Sequence, residues 1–174
     1  MSLHEAATWH CKIQIAKFLG EWFPGAIPYD VVEYDGNVLL CGGVSALWET
    51  LIGAGTTSAN QALTYFNNAN AAIGVGDSNA AAAATQTDLQ GAQKVRKGMN
   101  ASYPQHTDGT ASANKTITFQ CTFATNEANF AWEEAGIFNS PTNGVGRMLN
   151  RRAQSMGAKT VASSWQVTFT VTID

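Results

Sequence analysis

The sequence predicts a mainly β protein, an antiparallel β-sandwich or jelly-roll-like body with one short helix docked on it. Three observations lead there. From Trp165 onward the chain alternates strictly, with Trp165, Val167, Phe169, Val171 and Ile173 against Gln166, Thr168, Thr170 and Thr172. Ile117, Phe119, Cys121 and Phe123 alternate with Thr116, Thr118, Gln120 and Thr122 in the same way. A side-chain period of two buries one strand face and solvates the other, which is how antiparallel sheets read. Helical spacing is clearest in one place, where Val44, Leu47, Trp48, Leu51 and Ile52 fall at i, i+3, i+4, i+7 and i+8.

Taken in order, residues 1–8 form a short polar lead, expected as an N-terminal arm, and 9–174 form a single β-rich domain. Trp9, Cys11, Ile13 and Ile15 alternate with His10, Lys12 and Gln14 and predict a strand. A helix is the rival, because Ile15, Phe18, Leu19 and Trp22 also keep helical spacing. Pro24, Gly25 and Pro28 rule out a regular element around Trp22 and Phe23. Asp35-Gly36, between Val31-Val32-Tyr34 and Asn37-Val38-Leu39-Leu40, predicts a two-residue hairpin over 29–40.

The helical stripe follows, with Gly53 placed to end it in a left-handed conformation and Trp48 expected to be buried against the sheet. Gly55 to Asn70 is expected as a polar loop containing Leu63, Tyr65 and Phe66. The chain is organised around Phe66 to Asp77, a loop feeding the short buried strand Ala71-Ala72-Ile73-Gly74-Val75-Gly76, whose glycines admit close-packed backbone. Ala80–Ala84, after Asp77-Ser78, reads as a helical turn or a small-residue packing surface. Residues 103–112 read as loop, and the segments 130–138 and 145–151 flank Ser140-Pro141-Thr142-Asn143-Gly144 as a second hairpin.

With 174 residues the chain is long enough for one domain with a sizeable core. Charged residues make up 13%, about half the usual quarter, replaced by Ala, Asn, Thr, Ser and Gly. That suits a subunit covered by copies of itself or by neighbours, and equally a monomer with a neutral surface. A net charge of −3 gives no basic surplus for coating nucleic acid. No apolar run approaches the length of a membrane span, and residues 1–19 lack the pattern of a signal peptide. Cys11, Cys41 and Cys121 are odd in number and widely spaced, which fits synthesis in a reducing, intracellular compartment. The sequons at Asn100 and Asn114 are accordingly expected to be unused.

No catalytic constellation emerges, so a non-enzymatic protein without metal or cofactor is expected. Gly74-Val75-Gly76 opens a dinucleotide fingerprint that Asn79 leaves incomplete. No close Cys or His pair supplies zinc ligands, since adjacent His10 and Cys11 point to opposite strand faces. Cys41, before Gly42-Gly43 at a helix start, is a candidate nucleophile by its place; with no imidazole placed beside it, a buried core position is the expectation. Glu133 and Glu134 face apart on a strand. Lys94, Arg96, Lys97, Arg147, Arg151 and Arg152 are expected on solvated faces or in salt bridges to neighbouring subunits.

Several stretches together carry a resemblance. They are 36–40 running into Ala46-Leu47-Trp48, Phe66 to Ser78, Ala84 to Gln90, Glu127 to Glu134, and Leu149-Asn150-Arg151-Arg152. In this order the chain resembles a group of small tailed-bacteriophage virion structural proteins, and from Glu127 onward it is also similar to phage tail-collar and fibre proteins. The resemblance implies a virion component made in the bacterial host cytoplasm, in contact with the major capsid protein or neighbouring virion proteins. A capsid decoration (cement) protein is expected, as a homo-oligomer with a trimer favoured. The runner-up is a neck, tail or baseplate adaptor that attaches a fibre. A receptor- or carbohydrate-binding module, with Trp22 or Tyr65 as stacking platform, is a third reading. The candidate interface residues are Leu3, His4, Trp22, Phe23, Tyr65 and Phe66.

Overall fold

A computed structural model describes residues 7–53 and 65–174 and shows two antiparallel sheets facing each other, with one α-helix against them. In chain order these are β1 (Trp9–Leu19), β2 (Asp30–Asp35), β3 (Val38–Leu39), α1 (Cys41–Ile52), β4 (Ala72–Gly76) and β5 (Lys94–Gly98). Then follow β6 (Gln105–His106), β7 (Thr116–Phe123), β8 (Ala131–Phe138), β9 (Met148–Ala158) and β10 (Ser163–Ile173). The first sheet runs β2-β1-β10-β7-β6 and the second β3-β9-β8-β4-β5. The mainly β sandwich expected from the alternating patterns is the fold observed.

The first sheet follows its sequence pattern closely. β1 pairs with β10 from Trp9↔Ile173 to Leu19↔Ser163, so the strand reading of 9–15 holds and extends to Leu19. Ile13, Ile15, Phe119, Phe169 and Val167 point inward and meet Ile73, Val75, Trp132 and Ile137 of the second sheet in one continuous core. Trp132 stands edge-on between Phe123 and Trp165, with ring centroids 4.9 and 4.7 Å away. Such edge-to-face aromatic pairs add about 0.5–1.5 kcal/mol each beyond the area they bury.

The second sheet is covered on both faces. β4 lies between β8 and β5 and all five of its residues are buried. Its inner side chains join the main core, while Ala72 joins a separate cluster with Leu40, Leu89, Phe138 and Met148. The central strand is thus where the sequence places it, but its glycines serve a different purpose. A Cβ on Gly74 would sit 2.6 Å from the Phe138 ring, and one on Gly76 would sit 2.4 Å from Oε1 of Glu134. The space is taken by neighbouring side chains rather than by backbone.

Other expectations are corrected. β2 and β3 do not pair with each other: β2 adds to β1 in the first sheet, and β3 adds to β9 in the second. Gly36 does take a positive φ of 80°, but the Asp35-Gly36 turn carries the chain between sheets. The long β1 outcompetes β3 as partner, and the corner is held by Gly36 N donating to Cys11 O at 2.7 Å and Trp9 Nε1 donating to Asn37 Oδ1 at 2.8 Å. α1 ends as predicted at Gly53 in the left-handed region. Trp48, however, is 61% exposed. The helix rests on β9 through Gly43 and Ala46, where a Cβ on Gly43 would lie 2.4 Å from Leu149 O. That backbone approach rolls Trp48, Leu51 and Ile52 outward. Ala80–Ala84 is irregular and largely exposed, and β5 and β6 arise where no strand was predicted.

Candidate functional site

The covered face of the second sheet assembles the molecule's charged groups. Glu134 projects from β8 and Arg151 from β9; both are fully buried, and Arg151 Nε meets Glu134 Oε2 at 2.7 Å. The carboxylate also accepts from the backbone N–H groups of Gln90 at 3.0 Å and Gly91 at 2.6 Å. The guanidinium reaches Ala80 O at 2.9 Å and Gln86 Oε1 at 3.0 Å. One ion pair therefore pins the segment from Ala80 to Gly91 across the sheet, supplying the partners that its irregular backbone needs.

Arg96 of β5 pins the opposing turn. Its guanidinium stacks 3.6 Å over the Phe138 ring, which itself lies over Gly74. Nη1 donates to the carbonyls of Ser140, Thr142 and Val145 at 3.2, 2.8 and 2.6 Å, and Nη2 meets Asp88 at 2.8 Å. Burial pushes the Asp88 carboxyl up, but the hydrogen bonds and charge of Arg96 and Lys94 outweigh it and hold it below the usual carboxylate range. Desolvation depresses the Arg96 guanidinium in turn.

A third group fixes the turn before β8. Lys159, almost fully buried, donates to Ala124 O at 2.6 Å and Asn129 Oδ1 at 3.0 Å, and burial pulls its ammonium below the usual lysine value. Lys97 meets Glu127 at 2.6 Å. Arg147 is buried as well and donates through Nη1 to Ser45 Oγ at 3.1 Å. The expectation that these basic residues lie on solvated faces is thus overturned for Arg96, Arg147 and Arg151. They are internal struts because loops cover the second sheet's outer face. Glu134 carried the one available signal, as a carboxylate in the middle of an apolar strand.

Cys41 is exposed at the first residue of α1, against the expectation of burial, because the helix meets β9 two residues later at Gly43. His10 lies 3.6 Å from Asp174 and His106 Nδ1 lies 3.0 Å from Thr116 O. Cys11 and Cys121 are buried; burial pushes the Cys11 thiol up to about 12 and raises that of Cys121 further. Glu133 faces away from Glu134 and accepts from Ser155 at 2.9 Å. Among the described residues no group of three or more His, Cys, Asp and Glu side chains is placed to hold a metal ion, and no helix is long and apolar enough to cross a membrane.

Of the candidate interface residues, Leu3 and His4 lie outside the described residues, as does most of the Gly55–Asn70 loop. Trp22 and Phe23 are exposed in the β1–β2 connection. Tyr65 is exposed, but Phe66 packs edge-on against Phe119 with centroids 6.5 Å apart and belongs to the core margin. Trp9, which lines the same hollow as Phe66, starts β1 while Leu19 ends it beside Trp22. Phe119, against which Phe66 packs, lies across from Phe169 and so level with Ile13, six residue steps of about 3.3 Å from Leu19. A hollow of about 430 Å³ beside α1, lined by Trp9, Leu39, Leu47, Trp48 and Leu51, is almost wholly apolar. In comparisons with known proteins, the chain matches no family model, no curated protein and no solved structure.

Proposed function

We propose that this chain is a non-enzymatic structural protein of a bacteriophage virion, acting as a decoration protein that binds and stabilises the assembled head shell. The observation that carries the reading is the division of labour between groups. Buried charges are spent on holding loops, whereas large apolar side chains such as Phe23 and Trp48 are left exposed on an ordered framework. That division suits a part whose work is adhesion, and it agrees with the resemblance and with the low charge content. The mechanism is linkage: a subunit that binds only the assembled shell stabilises it by mass action. The expected partners are the major capsid protein and further copies of the chain, in a symmetric oligomer.

Copy number per particle, by quantitative mass spectrometry against the major capsid protein, tests this. Hundreds of copies in fixed ratio to the shell subunit support decoration. A handful matching three-, six- or twelve-fold symmetry moves the protein to the neck or tail as a fibre adaptor. Absence from the particle sinks both.

A further inference from the structure

The end of the first sheet where β1 stops and β10 starts carries a concentration of large apolar side chains that the core does not use. Leu19, Trp22, Phe23, Ile27, Tyr29 and Val161 are all exposed there, Leu19 at 76% and Ile27 at 89%. Backbone bonds tie them into one corner: Gly20 N donates to Ala162 O at 2.9 Å, Tyr29 N to Lys17 O at 2.9 Å and Ala26 N to Phe23 O at 3.0 Å. The charged groups of the corner already have partners within the chain, one of them an opposite charge. Lys17 meets Asp30 at 2.9 Å, and Glu21 accepts from the backbone N–H of Thr125 at 3.1 Å and from its hydroxyl.

Weighted by their exposure, these six residues present on the order of 600 Å² of surface, most of it apolar. That lies at the upper end of the few hundred Å² at which a monomer's exposed patches usually stop, and approaches the roughly 800 Å² each partner contributes to a standard interface. α1 is followed in sequence by residues 54–64, outside the described part, whereas every residue of the corner is described.

We propose that this corner is where a second copy of the chain docks, with neighbouring copies converging on the symmetry axis of a small closed oligomer. A symmetric contact brings like groups together near its axis, so a patch that meets itself has to be largely apolar, with its charged groups already bound within the chain. This one is. A partner of opposite charge finds little to select here, since Asp30 is paired with Lys17 and Glu21 is bound to Thr125, whereas a second copy brings the same apolar area. On the adjacent edge strand β2, Asp30 and Glu33 are already paired with Lys17 and Lys12, and charged side chains of this kind blunt an edge against strand-to-strand continuation between copies. Contact is therefore made by the side chains of the corner. The inference rests on the oligomer part of the proposed function and is independent of where in a particle the protein sits.

Sedimentation equilibrium of the full chain across a range of concentrations tests it. The expected result is a discrete species of two or three subunits, and at least about 30-fold weaker association in the double variant Phe23→Ser, Ile27→Glu, with an unchanged thermal melt at dilutions where both are monomeric. Leu51→Glu, on α1, leaves the mass unchanged. A wild-type monomer at every concentration overturns the proposal, as does an oligomer that survives the double variant or one that Leu51→Glu alone dissolves. A wild-type monomer found in hundreds of copies per particle would remove the corner contact and keep the decoration reading. A stable oligomer absent from the particle would do the reverse.

Discussion

In the first sheet, β10 buries Trp165, Val167, Phe169 and Val171 and leaves Gln166, Thr168, Thr170 and Thr172 half-buried between them. In the second, β4 buries every residue from Ala72 to Gly76, and β8 buries an unbroken run from Glu134 to Phe138. Both sheets are antiparallel ladders. They differ in what lies on the second face: solvent in one case, two loops and a helix in the other. The comparison teaches that covering a second face changes which residues hold the structure. The open sheet is held by its core and by cross-strand polar pairs such as Gln120 with Thr168 at 3.1 Å and Thr116 with Thr172 at 2.8 Å. The covered sheet depends in addition on buried charge and on missing side chains.

The largest effect that would break this contrast is at the buried ion pair. Arg151→Met leaves the Glu134 carboxylate fully buried with only two backbone donors, and is expected to cost about 3–5 kcal/mol in urea unfolding. Adding Glu134→Gln, which removes the orphaned charge, should recover a good part of that loss. If Arg151→Met cost no more than a surface substitution, the covered face would not depend on its charges.

The contrast also explains what could be read from sequence. Period two was visible in β1, β7 and β10 because their outer faces are wet, and each strand lies where its alternation put it. In β5, Lys94-Val95-Arg96-Lys97 reads as a solvated charge run; nothing local reveals that Arg96 lies over Phe138 and caps three carbonyls from a turn some forty-five residues away. The Asp35-Gly36 turn was recognised as a turn, but the partner of β3 was settled by long-range competition from β1 and β9, which local turn chemistry does not encode. Trp48 was misplaced because the helix's contact face is chosen by its smallest residues, Gly43 and Ala46, rather than by its largest. Trp22 and Phe23 are legible as aromatics in an irregular loop, a setting that more often plugs a core edge than binds a partner; their exposure, and the company of Ile27 and Val161, come only from the fold.

Within the covered sheet, two glycines sharpen the comparison further. Gly76→Ala drives a methyl to within 2.4 Å of Glu134 Oε1, against a carboxylate already held from three sides, and is expected to cost about 1–3 kcal/mol. Gly98→Ala sits at the end of the sheet's edge strand with nothing within 4 Å, and is expected to be neutral or to stabilise by up to about 1 kcal/mol through the unfolded chain. Equal losses at both positions would mean that strand propensity, not the filled space above Gly76, sets the cost.

The pH dependence separates the sheets more gently. The folded Asp88 carboxyl titrates below its unfolded value of about 3.9, so its stabilising share is complete above that pH and is lost as pH falls through the folded value. Asp88→Asn removes this share, and its unfolding free energy should fall less steeply than the wild type's below about pH 4. Some slope should remain, because Glu127 is also held below the ordinary range: burial raises it, but its bonds to Lys97 and to the Ala124 N–H prevail. Parallel slopes in the two proteins would mean that the Asp88–Arg96 contact does not discriminate folded from unfolded chain.

The smallest effect belongs to the open face. Thr170 lies in the centre of the first sheet, between Lys12 of β1 and Thr118 of β7, on the side that no described element covers. Thr170→Val keeps the branched shape that strands accept and exchanges a hydroxyl for a methyl where water is at hand. Its unfolding free energy should stay within about 0.5 kcal/mol of the wild type, as surface substitutions usually do. A loss of 2 kcal/mol or more at this position would require the hydroxyl to be desolvated in the folded protein, on the scale of an unsatisfied buried polar group. That result in the isolated chain would place a second covering layer over the first sheet, and the difference between the two sheets would disappear. If the loss emerged only at concentrations where the chain associates, the layer would be another subunit.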